Sequence, residues 1–256
     1  MLAPALAVVA VFFVGGLGAA LAQSLGYQPY LGEHDLSWDA YRTVWADPAV
    51  RASTVLTVRT AVLATGLAAV FGVGIALGIQ RLGRSRAWAA RLMQANLAVP
   101  HLVAAVSIQL LLSQSGMISR LAATLGLTQS PADFPALTAD AHGIGILAAL
   151  VWKETPFLAV LALTALGGAT HDLGRCARVL GADRWQRLRH VTVPALAPAV
   201  AAGSVLVFAF AVGAYEIPYL LGRPYPATLP VLAYELYTDV DLAARPEAMV
   251  LAVLIA

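Results

Sequence analysis

The stretch that decides the fold lies near the three-quarter point of the chain. Residues 175–181 have the sequence Arg-Cys-Ala-Arg-Val-Leu-Gly, nine residues follow, and residues 191–194 have the sequence Val-Thr-Val-Pro. The block is polar, rich in arginine and about the size of a helical hairpin, yet long apolar stretches flank it on both sides. A chain that keeps such a patterned polar block between apolar stretches is expected to bind something with it.

The composition around this block is that of a polytopic membrane protein. Hydrophobic residues make up 60% of the 256 residues, charged residues only 12%, and the mean hydropathy is +0.77. The single cysteine, Cys176, excludes an intramolecular disulfide and any cysteine-based metal cluster. We therefore predict an all-α integral membrane protein made of one domain, residues 1–256.

Five apolar segments are long enough to span a bilayer, which takes about 20 residues. They cover residues 2–26, 53–80, 92–115, 144–168 and 195–221. A sixth run, residues 248–256, covers about half a bilayer, so we expect the sequence to stop inside a sixth helix. The first segment lacks the charged start of a signal peptide and is predicted to be a retained helix. In the second, Gly74 and Gly78 either allow close helix packing or are simply typical of membrane helices.

The arginines predict the orientation of the chain. The loop after the second segment holds four arginines and no acid, and residues 170–194 hold five arginines against two aspartates. The loops on the other side are acidic. Since basic loops stay in the cytoplasm, we expect the N-terminus and both arginine loops there, in a bacterial cytoplasmic (inner) membrane.

The loop of residues 170–194 has the pattern of two short helices joined at Gly181. Apolar residues recur at helical spacing before the glycine and again after it, where Trp185 is the one aromatic residue. Pro194 is expected to end the second short helix and begin the fifth spanning helix. Such a loop fits the groove of a partner protein or the lipid surface, and physical chemistry alone favours neither.

The spacing resembles the cytoplasmic loop of binding-protein-dependent ABC importer permeases. The pattern of that family is Glu-Ala-Ala, three residues, Gly, nine residues, Ile-x-Leu-Pro. Ala177, Gly181 and Pro194 match it outright, Val191 and Val193 are conservative replacements, and Arg175 and Cys176 stand where the family has Glu and Ala. Weaker similarities lie in residues 41–61, 100–116, 152–157 and 214–222, the last resembling the branch that includes polyamine, iron(III) and thiamine permeases. This last resemblance implies a small polar or cationic cargo such as a polyamine, iron(III) or a thiamine-like solute. The resemblance favours the protein groove and the type I, MetI-like fold.

The resemblance implies a permease subunit without enzymatic activity of its own. Its partners would be an ABC ATPase dimer, a second permease subunit (a second copy or a related chain) and an extracytoplasmic solute-binding protein. ATP and Mg²⁺ would bind the ATPase, so no cofactor is expected in this chain. The residues implied to couple to the ATPase are Arg175, Ala177, Arg178, Gly181, Ala182, Trp185, Arg187, Val191, Val193 and Pro194.

Ionisable residues inside the spans are candidates for the translocation pathway. Lys153 and Glu154 lie in the middle of the fourth segment and point about 100° apart, so each needs a partner on another helix or a water-filled cavity. Tyr215, Glu216 and Pro100 complete the candidate pathway residues. No catalytic constellation or metal cluster is apparent. The alternatives are an ion-coupled secondary transporter using Lys153, Glu154 and Glu216, and a membrane scaffold that recruits a partner without transport.

Overall fold

The protein is almost entirely helical. The computed structural model describes residues 3–82, 85–167 and 169–256. The prediction of an all-α membrane protein is confirmed. In chain order the helices are α1 (Ala3–Ser24), α2 (Asp39–Ala46), α3 (Pro48–Ile79), α4 (Arg86–Leu97), α5 (His101–Leu112), α6 (Met117–Thr124), α7 (Ile144–Ala165), α8 (Ala169–Val179), α9 (Arg184–Arg187), α10 (Val193–Gly213), α11 (Glu216–Leu221), α12 (Leu229–Tyr237) and α13 (Arg245–Ile255).

Among the described residues, five helical segments have the length and composition to cross a membrane. They are Leu6–Ser24, Pro48–Ile79, His101–Thr124, Ile144–Ala165 and Arg184–Gly213. The second begins at Pro48, ahead of the predicted residue 53, because the Asp47 carboxylate caps it by accepting a hydrogen bond from the Ala49 amide at 2.7 Å. Likewise, α13 begins at Arg245, ahead of the predicted residue 248.

The packing of α3 against α7 forms the centre of the fold. The buried face of α3 is a stripe of small residues, and a Cβ added at Gly72 would lie 2.9 Å from the Leu158 Cβ and 3.0 Å from the Ala159 nitrogen. Small residues let two membrane helices approach this closely. The sequence pointed to Gly74 and Gly78 instead, but a Cβ at either would meet nothing within 4 Å. Those two glycines lie on the faces of α3 that do not contact α7.

Two of the predicted spans are broken. Residues 92–115 were expected to form one helix, but α4 ends at Leu97 and α5 starts at His101. Pro100 causes this break because it has no N–H for the carbonyl of Asn96 and disfavours helical geometry at the preceding residue. Residues 195–221 divide at Ala214, which is extended (ψ 125°). Pro218 contributes to this second break because it has no N–H to donate to the carbonyl of Ala214.

Helices α1, α2, α12 and α13 pack together near the start of α3. Val44, Val50, Leu229, Val250 and Leu251 form a second apolar cluster that joins α2, α3, α12 and α13. Helix α1 packs along α13 and exposes most of its side chains. At its end, the buried Ser24 hydroxyl shares a 2.9 Å hydrogen bond with the Tyr41 hydroxyl.

Candidate functional site

The predicted coupling loop forms a helical hairpin whose turn is made by Gly181. This glycine has φ +86°, a left-handed conformation that L-residues with a Cβ adopt at a cost. The Gly181 amide donates to the Arg178 carbonyl at 3.0 Å, and the Ala182 amide donates to the Ala177 carbonyl at 2.9 Å. These two bonds constitute a Schellman motif, which satisfies the last carbonyls of α8. Two short helices joined at Gly181 were the sequence expectation, and this part of it is observed.

A capping box starts the second arm of the hairpin. The Asp183 carboxylate accepts a hydrogen bond from the Gln186 amide at 2.8 Å, while the Gln186 side chain accepts one from the Asp183 amide at 2.9 Å. Each group satisfies a backbone donor that the start of a helix leaves free. The chain therefore leaves Gly181 in a defined direction.

The second arm does not end at Pro194, contrary to the sequence expectation. Residues Leu188–Thr192 form a π-helical turn that joins α9 to α10, with the Val193 amide donating to the Leu188 carbonyl. A wider turn removes the clash between a proline ring and the carbonyl four residues earlier, so the helix passes Pro194 without a break. The hairpin is thus continuous with the fifth spanning helix.

The hairpin presents an apolar tip with basic sides. Val179 and Leu180 are each 87% exposed and Trp185 is 67% exposed. Val193 is exposed, whereas Val191 is half-buried. A groove of about 660 Å³ separates the hairpin from the end of α3, and its lining includes Arg81, Arg178, Arg184, Trp185 and Arg187. A smaller adjoining cavity of about 270 Å³ is lined in part by Arg175 and Arg178.

Lys153 and Glu154 both contact the break between α4 and α5. Lys153 is 3% exposed, and its Nζ donates to the carbonyls of Asn96 at 3.0 Å and Leu97 at 3.3 Å. Glu154 Oε1 lies 3.2 Å from Nε2 of His101, the first residue of α5. Pro100 lies between these two contacts and is exposed. The structure therefore brings Lys153, Glu154 and Pro100 together.

Tyr215 and Glu216 lie at the second break. The Tyr215 ring contacts those of Tyr219 and Tyr234, with ring centroids 5.2 and 4.9 Å apart, and Glu216 is exposed. The two breaks are neighbours, because the rings of His101 and Phe210 have centroids 4.6 Å apart and α11 packs on α5. Aromatic side chains thus lie near both breaks, as the pair His101 and Phe210 and as the group Tyr215, Tyr219 and Tyr234.

Several of these aromatic residues were not predicted from the sequence. His101 was not among the candidate pathway residues, although it contacts Glu154. The spacing of four between Tyr215 and Tyr219 places both on one face of α11, which was an available signal. Nothing in the sequence pointed to Phe210 or Tyr234, since both contacts depend on how separate helices pack.

An acidic cavity lies at the other end of the molecule from the hairpin. It has a volume of about 520 Å³, and its lining includes Glu33, His34, Asp35, Asp39 and Glu247. Burial raises the pKa of the Glu247 carboxyl, and the nearby Asp47 carboxylate raises it further. In the loop after α6, hydrogen bonds from the Ser130 and Gln129 amides lower the pKa of Asp133.

Comparison with known proteins gives the chain a family. A probable molybdenum ABC transporter permease of Haloferax volcanii is 34% identical over 193 residues, 75% of this chain and 66% of that protein. A trehalose/maltose transport system permease of Thermococcus litoralis is 28% identical over 190 residues, 72% of this chain and 63% of that protein. The chain therefore spans slightly less than two thirds of the length of these relatives.

A solved structure shares the fold. The crystal structure of a bacterial alginate ABC transporter, in complex with an alginate pentasaccharide-bound periplasmic protein, matches all of this chain and 87% of its own with a TM-score of 0.79 and 19% identity. The family model described as the inner membrane component of binding-protein-dependent transport systems matches residues 68–256, which include the hairpin and both helix breaks. The chain belongs to this family of multi-pass permease components.

Proposed function

We propose that this chain forms half of the translocation pathway of an ATP-driven importer and couples to a separate ABC ATPase through residues 170–194. The observation that carries the proposal is the hairpin itself. Its Schellman turn and capping box make it a defined shape, its tip is apolar and exposed, and it is continuous with α10. A rigid amphipathic element with an aromatic anchor suits a groove of a partner protein.

The other partners follow from family membership. A second permease subunit, either another copy or a related chain, completes the pathway, and a solute-binding protein delivers cargo on the side opposite the hairpin. With the hairpin in the cytoplasm, the acidic cavity near Glu247 faces the binding protein. The N-terminus then lies in the cytoplasm, and the protein lies in the bacterial inner membrane.

The broken helices are the proposed pathway. Non-helical backbone at membrane depth is stable only where protein or water, and not lipid, surrounds it. Residues 98 and 100 at the first break and Glu216 at the second are exposed on this single chain. They therefore face the second subunit or the water-filled route, along with His101 and the rings of Tyr215, Tyr219 and Tyr234.

The lining of this route favours a small polar or cationic solute. Ring faces attract cations, and the exposed Glu216 follows Tyr215, whose ring contacts those of Tyr219 and Tyr234. The relatives above are named for molybdenum and for trehalose and maltose, so they do not single out the polyamine, iron(III) or thiamine cargo expected from the sequence.

Purification with its ABC ATPase tests the proposal. The wild-type chain is expected to retain the ATPase through detergent extraction, and Gly181→Asp is expected to lose it while still inserting in the membrane. ATPase retention by Gly181→Asp at the wild-type level would contradict coupling through the hairpin. Solute uptake by the chain alone in vesicles without ATP would support an ion-coupled carrier instead.

A further inference from the structure

Two adjacent charged residues of α7 bind opposite ends of one helix break. Lys153 and Glu154 are in the middle of α7, a 22-residue helix, where an unpaired charge is costly. Lys153 binds the last carbonyls of α4, and Glu154 binds the first residue of α5. The carbonyl end of a helix carries a partial negative charge and the amide end a partial positive charge. Lys153 therefore contacts a carbonyl end directly, which its positive charge stabilises. Glu154 contacts the side chain of the first residue at an amide end, the end that a negative charge stabilises.

Lys153 binds two of the carbonyls that lose their usual backbone N–H donors at the break. In a continuous helix the Asn96 carbonyl would accept from residue 100, which is a proline without an N–H, and the Leu97 carbonyl would accept from residue 101. The Asn96 carbonyl also accepts a bond from the Val99 amide at 3.1 Å. The buried Lys153 Nζ supplies the remaining donors from within the protein.

We propose that Lys153 and Glu154 are positioning residues that hold the break between α4 and α5 and thereby present Pro100 and His101 to the translocation pathway. Neither acts as a ligand of the cargo. The Lys153 ammonium is committed to two backbone carbonyls and is almost fully buried, and the Glu154 carboxylate is committed to His101. Only the presentation to the pathway rests on the function proposed above.

Thiol labelling tests whether Lys153 and Glu154 hold the break, and it needs neither cargo nor ATPase activity. Cys176→Ser removes the single native cysteine, and Val99→Cys then places one thiol within the break. In the full-length chain in lipid vesicles, Lys153→Met is expected to raise the rate of reaction with N-ethylmaleimide about tenfold or more, since hydrogen bonds to a charged group contribute at least that factor. Lys153→Arg, which keeps charged donors, is expected to restore most of the protection.

Thr155→Val is the matched control. Thr155 is the next residue of α7 and equally buried, but its hydroxyl has no hydrogen-bond partner among the described residues. Its replacement is expected to leave the labelling rate unchanged. A rate unchanged in Lys153→Met, or raised equally in Thr155→Val, would overturn the proposal.

Exchanging the two charges tests whether their positions matter or only their presence. The double variant Lys153→Glu with Glu154→Lys keeps the composition and net charge but puts each charge at the wrong helix end. It is expected to label faster than the neutral double variant Lys153→Met with Glu154→Gln. If a variant fails to insert, Lys153→Gln, which keeps neutral donors, is expected to label at an intermediate rate, and wild-type protection in it would contradict the charge argument. The labelling rates do not depend on whether the hairpin binds an ATPase. The proposal about Lys153 and Glu154 can therefore be refuted while the proposed function stands, and the reverse.

Discussion

Replacement of Gly181 by alanine is expected to weaken the hairpin turn by an amount that the structure defines. A Cβ at this position would meet nothing within 4 Å, so the change introduces no clash. The cost is that of the left-handed backbone alone, roughly 1–2 kcal/mol for a residue with a Cβ. Gly181→Asn should cost less, because asparagine tolerates this conformation better.

Gly174 provides a control with the opposite sign. It lies within α8, in the same hairpin, and a Cβ there would also meet nothing within 4 Å. Glycine inside a helix is less stable than alanine by about 0.5–1 kcal/mol, so Gly174→Ala should strengthen the hairpin. Two identical substitutions seven positions apart are therefore expected to act in opposite directions.

Hydrogen exchange of the hairpin amides measures both effects. The amides of residues 181 and 182 close the turn, and their protection reports its local opening. Gly181→Ala is expected to lower that protection about tenfold, since 1.4 kcal/mol corresponds to a factor of about ten. Gly174→Ala should raise the protection of α8 amides. Equal protection in wild type and Gly181→Ala, or a loss of protection in both variants, would refute this account of the turn.

Three further predictions concern the hairpin tip, the central packing and the outer cavity. Trp185→Ala should weaken ATPase binding in detergent by about 30-fold, as loss of an aromatic anchor does, whereas Trp45→Ala on the opposite side should not change it. Gly72→Ala should lower the thermal unfolding midpoint through overpacking of about 1–3 kcal/mol against Leu158, whereas a lower midpoint in Gly74→Ala as well would contradict the packing argument. The raised pKa of Glu247 means that the folded state favours the protonated carboxyl, so stability should fall as pH rises from the ordinary value of 4.5 through the raised one. Glu247→Gln should remove that fall in a pH series of unfolding midpoints, and an unchanged pH dependence would show that another group causes it.

The hairpin turn was predictable because its determinants are local. A left-handed turn favours glycine, and Gly181 stands between two segments of helical spacing. The capping box of Asp183 and Gln186 also lies within four residues of sequence. Such features need no knowledge of other helices, so the sequence contains them in readable form.

The effect of each proline was not predictable in the same way. Pro100 and Pro218 accompany breaks, whereas Pro194 lies in a continuous helix behind a π turn. At Pro100 the break is stabilised by Lys153, more than fifty residues away in sequence. Hydropathy averages over such breaks, so the apolar segments were found but their interruptions were not.

The sequence predicted that the intramembrane charges need partners, but it did not identify the partner residues. The angle between Lys153 and Glu154 indicated that each needs a partner on another helix or a water-filled cavity, and each has a partner on another helix. That the partners are opposite ends of one broken helix depends on the packing of α7 against α4 and α5. The choice among glycines of α3 depends on packing too, since only Gly72 meets α7 closely.

Crosslinking from the hairpin tip tests the central claim most directly. A photoreactive amino acid in place of Leu180, which is 87% exposed, would be activated in membranes that contain the chain and its ABC ATPase. The proposed coupling predicts a crosslink to the ATPase that is lost when Gly181→Asp is added. A crosslink to lipid alone would contradict it and place the hairpin on the membrane surface.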